Sequence, residues 1–202
     1  MKTIIALLLC TSLNIALAQN DSTYTIPFAS KGNTIELIVA NTSKIATQGV
    51  SITVGNTQGW VKFDTTQQMI KSLTASAEQT ATFSFAVDKS APVGKGQTLA
   101  FSITANGQTW TKNIAIKVAA PQTYMLYQNY PNPFNPSTII SYELAKDSRV
   151  SLKIYDILGR EVMTLADESQ PAAYYQKALN AGRLASGITS TGSLLQTNRT
   201  TI

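Results

Sequence analysis

The sequence predicts an all-β protein, and three features predict it. Between Thr23 and Val118 apolar and polar residues alternate with a period of two, the spacing of a strand buried on one side only. Within that stretch, LAFSITANGQTWTKNIAIKV centres on Asn106-Gly107, the dipeptide favoured by two-residue hairpin turns, in which both central residues need positive φ. Further along, VSLKIYDILGREVMTL reads as a second hairpin around a longer turn.

The chain opens with MKTIIALLLCTSLNIALAQ: Lys2, an apolar run from Thr3, then the small-x-small pattern Ala16-Leu17-Ala18. Residues 1–18 are therefore expected to be a Sec signal peptide, cleaved after Ala18. Leu9 stands before Cys10 where a lipoprotein would carry a small residue, so lipidation of Cys10 is not expected. The run is too short to span a bilayer, and the mature chain is expected to have no membrane span.

Residues 23–120 are expected to form one β-sandwich. VSITV puts Val50, Ile52 and Val54 on one face; TATFSFAV does the same for Ala81, Phe83, Phe85 and Val87. The Asn106-Gly107 turn sets Ile103 opposite Trp110, Phe101 opposite Lys112 and Leu99 opposite Ile114, so both apolar sets share a face. Lys112 alone breaks the pattern and is expected to snorkel past the sheet edge. About seven or eight short strands separated by turn signals such as APVGKG fit an immunoglobulin-like sandwich.

Composition excludes several functions. With 202 residues, 44% hydrophobic and 13% charged, the chain has material for one or two buried cores. Histidine is absent and Cys10 is the only cysteine, which removes Ser-His-Asp and Cys-His catalysis and the usual zinc sets. No catalytic residue, cofactor or metal ligand is expected. The net charge of +5 comes from lysines and arginines scattered singly, without the basic run that nucleic acid would call for. Asp64 and Asp88 are isolated carboxylates and read as solvated loop residues. Trp60 and Trp110 are the one candidate ligand platform, with core or rim packing as the plainer explanation.

Residues 121–136 form a Pro/Asn-rich connector containing YPNPFNPST. Each proline lacks an N–H and pushes its predecessor out of the α region, so Asn132 and Asn135 must be extended or in turns. The next unit, residues 137–188, carries the hairpin in which Val150, Leu152 and Ile154 face inward. There Asp156 opens the turn by accepting backbone N–H groups, and Gly159 supplies the left-handed residue. Turn capping and a surface ion pair account for Asp156 and Arg160.

YMLYQNYPNPFNPSTIISYEL, then VSLKIYDILGREVMTL, then LASGI resemble the type A C-terminal sorting domain of type IX secretion cargo. This small Ig-like sandwich, related to the flagellar hook-capping Ig domain, is found on exported proteins of Bacteroidetes and their relatives. The resemblance covers about Tyr124 to Ile188. Its first motif falls on Asn129, Tyr130, Pro131, Asn132, Pro133, Phe134, Asn135 and Pro136, and its second on Asp156, Gly159, Arg160 and Val162. It implies a chain exported by the Sec machinery to the periplasm and then carried by the type IX translocon to the cell surface or beyond. A sortase-like peptidase would then remove the domain. The first domain is similar to the Ig-like accessory domains that precede such sorting domains.

After LASGI the family continues with a YFYRL-like strand, where this chain has TSTGSLLQTNRTTI. Codons for YFYRL that lose their first base translate as TSTGS, so residues 189–202 are read as an out-of-frame, disordered tail. The fold class expected is thus two Ig-like β-sandwich domains, the second truncated at its C-terminal strand or strands, with Ile154 and Val162 uncovered and the chain periplasmic if sorting fails. The function expected is non-catalytic sorting of cargo. The alternatives are a glycan- or protein-binding surface module, or the remnant of a larger secreted enzyme.

Overall fold

The computed structural model describes residues 3–10, 23–55, 58–182, 190–197 and 200–201, with side chains for 23–55 and 58–182. The chain divides into two compact units, Met1–Ala119 and Ala120–Ile202. All regular elements among the described residues are strands.

The first unit contains β1 (Thr3–Cys10), β2 (Tyr24–Ile26), β3 (Asn33–Asn41), β4 (Thr47–Val54), β5 (Val61–Phe63), β6 (Gln67–Leu73), β7 (Glu78–Val87), β8 (Gly96–Ala105) and β9 (Gln108–Val118). They form two sheets, ordered β1-β3-β7-β5 and β2-β9-β8-β4-β6. The period-two pattern is what lets these sheets face each other. Ala81, Phe83, Phe85 and Val87 turn inward from β7, and Val50, Ile52 and Val54 from β4. Phe83 and Phe101 meet across the sandwich with ring centroids 5.3 Å apart, and Phe63 sits 5.4 Å from Phe85. Burial of each of the three fully buried rings, Phe83, Phe85 and Phe101, is worth about 1.5–3 kcal/mol relative to exposure.

The β8–β9 hairpin has the expected register: Ile103 opposes Trp110, Phe101 opposes Lys112 and Leu99 opposes Ile114. Asn106 and Gly107 both have positive φ, 50° and 74°, as a type I′ turn requires. Lys112 is 7% exposed, more thoroughly covered than a chain reaching past an edge. Thr3–Cys10, read from sequence as part of a leader, lies here as β1, paired in parallel with β3 from Thr3↔Thr34 to Cys10↔Asn41. The expected cleavage point after Ala18 lies outside the described residues.

The second unit contains β10 (Met125–Leu126), β11 (Ser137–Glu143), β12 (Ser148–Tyr155), β13 (Glu161–Gln170), β14 (Tyr174–Asn180), β15 (Ser190–Thr197) and β16 (Thr200–Thr201). Its sheets are ordered β10-β11-β14 and β13-β12-β15-β16. Val150, Leu152 and Ile154 of β12 face a core shared with Ile140, Tyr142, Leu144, Ala166 and Leu179. Tyr142 stacks on Tyr175 at 5.3 Å, and its hydroxyl donates to Gln170 at 2.8 Å.

Residues 189–202 were expected as an out-of-frame, disordered tail; of them Ser190–Thr197 form β15, whose backbone pairs antiparallel with β12 from Arg149↔Gln196 to Tyr155↔Ser190. The physical reason is that a strand edge recruits backbone, not side-chain pattern: β12 offers N–H and C=O groups, and the proline-free segment can satisfy them without alternation. Ile154, expected to be uncovered, is fully buried in the core with Ile140, Leu152 and Leu179, whereas Val162, on β13, is 39% exposed.

Candidate functional site

The proline phrase is folded back onto β11. Tyr130 and Ile139 exchange backbone hydrogen bonds, each 3.0 Å, and Ala181 N–H donates to the Pro136 carbonyl at 2.8 Å. Thr138, 2% exposed, donates through Oγ1 to the Pro131 carbonyl at 2.8 Å. Asn129 Nδ2 donates to the same carbonyl at 3.2 Å and to Thr138 Oγ1 at 3.0 Å. Phe134 packs against the second core, while Tyr130 stands 81% exposed. The peptide bonds before Pro131, Pro133 and Pro136 are cis. The stretch read as a connector is therefore tied down at both ends, and Thr138 does much of the tying. Thr138, Ile140 and Tyr142 alternate inward along β11, and that alternation was the signal by which Thr138 could have been found.

The second motif closes the β12–β13 hairpin. Asp156 Oδ1 accepts from Leu158 N–H and Arg160 N–H, both at 2.9 Å, and Oδ2 accepts from Arg160 Nε at 2.8 Å. Gly159 has φ +76°, and its N–H reaches the Asp156 carbonyl at 3.0 Å. The Arg160 backbone N–H, followed by its guanidinium, holds the Asp156 carboxyl below its ordinary value. Just beyond, Lys153 and Glu161 pair at 2.6 Å, which lowers the glutamate and raises the lysine. At the tip Ile157 and Leu158 are 73% and 72% exposed, a feature that sequence reading passed over.

The two motifs thus fall in one unit but on separate sheets, the first bonded to β11 and the second between β12 and β13. In the first unit the tryptophans do not form a platform. Trp60 is 8% exposed and precedes Val61, which pairs with Val87 near the Asn33 end of its sheet. Trp110 lies at the opposite end, where with Ala40, Asn41 and Gln108 it lines a cavity of about 90 Å³ between the sheets. Asn41 organises that end: its Nδ2 donates to the carbonyls of Ile45, Leu73 and Thr74, and its Oδ1 accepts from Ser43. Asp88 is a turn residue whose carboxyl, bonded by the N–H and hydroxyl of Ser90, is held below its ordinary value. Asp64 donates its backbone N–H to Ser84. Among the described residues no group of three or more His, Cys, Asp or Glu could hold a metal, and no helix is long and apolar enough to cross a membrane.

Residues 128–190 match the family described as the secretion system C-terminal sorting domain. No curated protein matches the chain. Among solved structures, a protein of unknown function from Porphyromonas gingivalis W83 is 15% identical, with 79% of this chain and 80% of that one covered at a TM-score of 0.36. A putative carbohydrate binding protein from Bacteroides ovatus is 10% identical over 79% of this chain and 62% of its own, with a TM-score of 0.35. The CupB2 chaperone of Pseudomonas aeruginosa is 10% identical over 85% and 96%, with a TM-score of 0.32. At these scores the structural likenesses carry no argument about function.

Residues 128–190 are therefore similar to a secretion system C-terminal sorting domain of the type IX kind, a likeness that implies export to the cell surface or extracellular space and interaction with that secretion machinery.

Proposed function

We propose that a non-catalytic cargo chain is exported here in two steps, and that its second unit is the address read at the second step. Residues 1–18 serve as the Sec leader, and the chain reaches the periplasm after cleavage at Ala18. The sorting domain then engages the type IX translocon, and a sortase-like peptidase removes it at the surface. The observation that carries this reading is the family match over 128–190, which falls within the unit Ala120–Ile202. The motif residues support it: Asn129 to Pro136 are fixed against β11, and Asp156, Gly159 and Arg160 build one rigid turn. A non-catalytic role agrees with the missing histidine and with carboxylates engaged in turns and ion pairs.

The test is expression in a host with type IX machinery, followed by protease shaving of intact cells and mass spectrometry of the N-terminus. The full chain should begin at Gln19 and be cleaved from outside, and a chain lacking residues 124–202 should be protected. Equal shaving of both would remove the sorting role, and an intact Met1 would remove the leader.

A second reading, ligand binding by the first unit, is favoured by the half-buried Trp110 beside the end cavity. Quenching of tryptophan emission by soluble glycans, abolished in Trp110→Ala, would support it.

A further inference from the structure

The edge of β3 is closed by a segment that lies within the proposed leader. β1 runs parallel to β3 from Thr3↔Thr34 to Cys10↔Asn41, and β3 pairs on its other side with β7, from Asn33↔Phe85 to Ala40↔Glu78. In the sheet order β1-β3-β7-β5, withdrawing β1 makes β3 the outermost of the described strands along its whole length. A strand that loses its neighbour is left with a row of unpaired N–H and C=O groups, and that row pairs with an extended backbone that fits it.

β3 lacks the usual guards of an open edge. Its 9 residues, NTIELIVAN, include a single charge, Glu36, and neither lysine nor proline. Ile35, Leu37 and Val39 fill the core, so Thr34, Glu36 and Ile38 lie on the outer face. The strand is also self-complementary. Leu37 is the middle residue of Asn33–Asn41, and a two-fold axis through it sets a second β3 antiparallel, with Glu36 opposite Ile38, Ile35 opposite Val39 and Thr34 opposite Ala40. Every residue then has a partner, the core face continues as core face, and the two carboxylates avoid each other. An axis through Glu36 would put them directly opposite. Antiparallel pairing is also slightly stronger per residue than the parallel pairing it replaces.

We infer that the β3 edge is a homodimer interface covered by the leader: cleavage after Ala18 withdraws β1, and a second copy of this chain docks β3 against β3 in one continuous sheet. This device rests on the leader reading proposed above and adds to it a partner, a register and a trigger.

The test compares Met1–Ile202 with Gln19–Ile202 by analytical ultracentrifugation, both made by cell-free synthesis without membranes so that no signal peptidase acts. Gln19–Ile202 should sediment as a dimer at micromolar concentration and Met1–Ile202 as a monomer. In Gln19–Ile202, Ile38→Glu sets like charges face to face at two symmetric places and should weaken association by about tenfold or more. Adding Glu36→Lys makes those pairs opposite in charge and should recover the dimer, a rescue that misfolding would not allow. A monomeric Gln19–Ile202, or a dimer indifferent to Ile38→Glu, overturns the interface. Equal dimerisation of Met1–Ile202 overturns the covering role of β1. Mass spectrometry of the chain exported in a type IX host separates the two readings: an intact Met1 overturns leader and opening together, whereas a chain that begins at Gln19 and is monomeric overturns the dimer alone.

Discussion

The hairpin at Asn106-Gly107 turns on backbone preference, whereas the hairpin at Asp156–Arg160 turns on a side chain. In the first, two consecutive residues accept positive φ, and the next residues already lie in the β8–β9 ladder. In the second the loop is longer, the ladder slips between Ile154 and Tyr155, and one carboxylate spans the gap. Short turns are encoded by conformational freedom and are indifferent to solvent conditions. Longer ones need a polar group at the centre, and they inherit its titration and leave their apex free to carry something else.

Four measurements break or sharpen that contrast. The largest effect is expected from Phe101→Ala, which empties the centre of the first core and removes contacts to Phe83 and Phe63. It should cost about 3–5 kcal/mol in calorimetry, and no turn chemistry can offset it. Next is Gly107→Val. A Cβ there meets nothing within 4 Å, so the penalty is purely that of holding a β-branched residue at φ +74°, about 1–2 kcal/mol. A neutral result would show that the backbone does not decide this turn.

Smaller again is the acid response of the second hairpin. Asp156 has its folded value below the ordinary 3.8, so its contribution is complete above that value and is lost as pH falls through the lower one. Glu161 and Glu168 are lowered in the same way, by Lys153 and by Gln170 with Lys177 respectively. Melting of the second unit should therefore decline in this acid window, and Asp156→Asn should flatten part of the decline. Gly107→Val should leave the acid profile unchanged. The smallest effect belongs to Arg149→Ala, which breaks an exposed pair with Asp167 at 2.9 Å and should cost under about 0.5 kcal/mol in thermal melts.

What could be read from the chain follows the range of the interactions involved. Phe83, Phe85, Val50 and Ile52 declared their faces because a one-sided strand repeats every second residue, and Asn106-Gly107 declared its register because the turn and ladder are contiguous. Pairings between distant segments carry no such local mark: β1 on β3, β2 on β9 and β15 on β12 are backbone associations. The pairing of Ser190–Thr197 as β15 went unread for that reason, because a segment without alternation can still fill a strand edge. Within the candidate site, Asp156 and Gly159 were legible as turn chemistry. Thr138 and the pair Ile157 and Leu158 were not singled out, because a polar residue inside and apolar residues outside both run against the rule by which sequence is read. Asn41 was equally hidden, its five side-chain hydrogen bonds depending on loops brought together from 43, 45, 73 and 74.

The placement of aromatic residues has an optical consequence. Both tryptophans lie in the first unit, and of the eight tyrosines only Tyr24 does, leaving seven in the second. Tryptophan emission is thus a signal of the first unit alone, with a shielded blue component from Trp60 and a wetter one from Trp110. The second unit has no tryptophan to mask its tyrosines, and the stacked rings of Tyr142 and Tyr175, 5.3 Å apart and 18° from parallel, should give an exciton-coupled band in the near ultraviolet that vanishes when that stack opens. One unlabelled sample therefore carries two separate dyes, and the melting of each sandwich can be followed in its own colour.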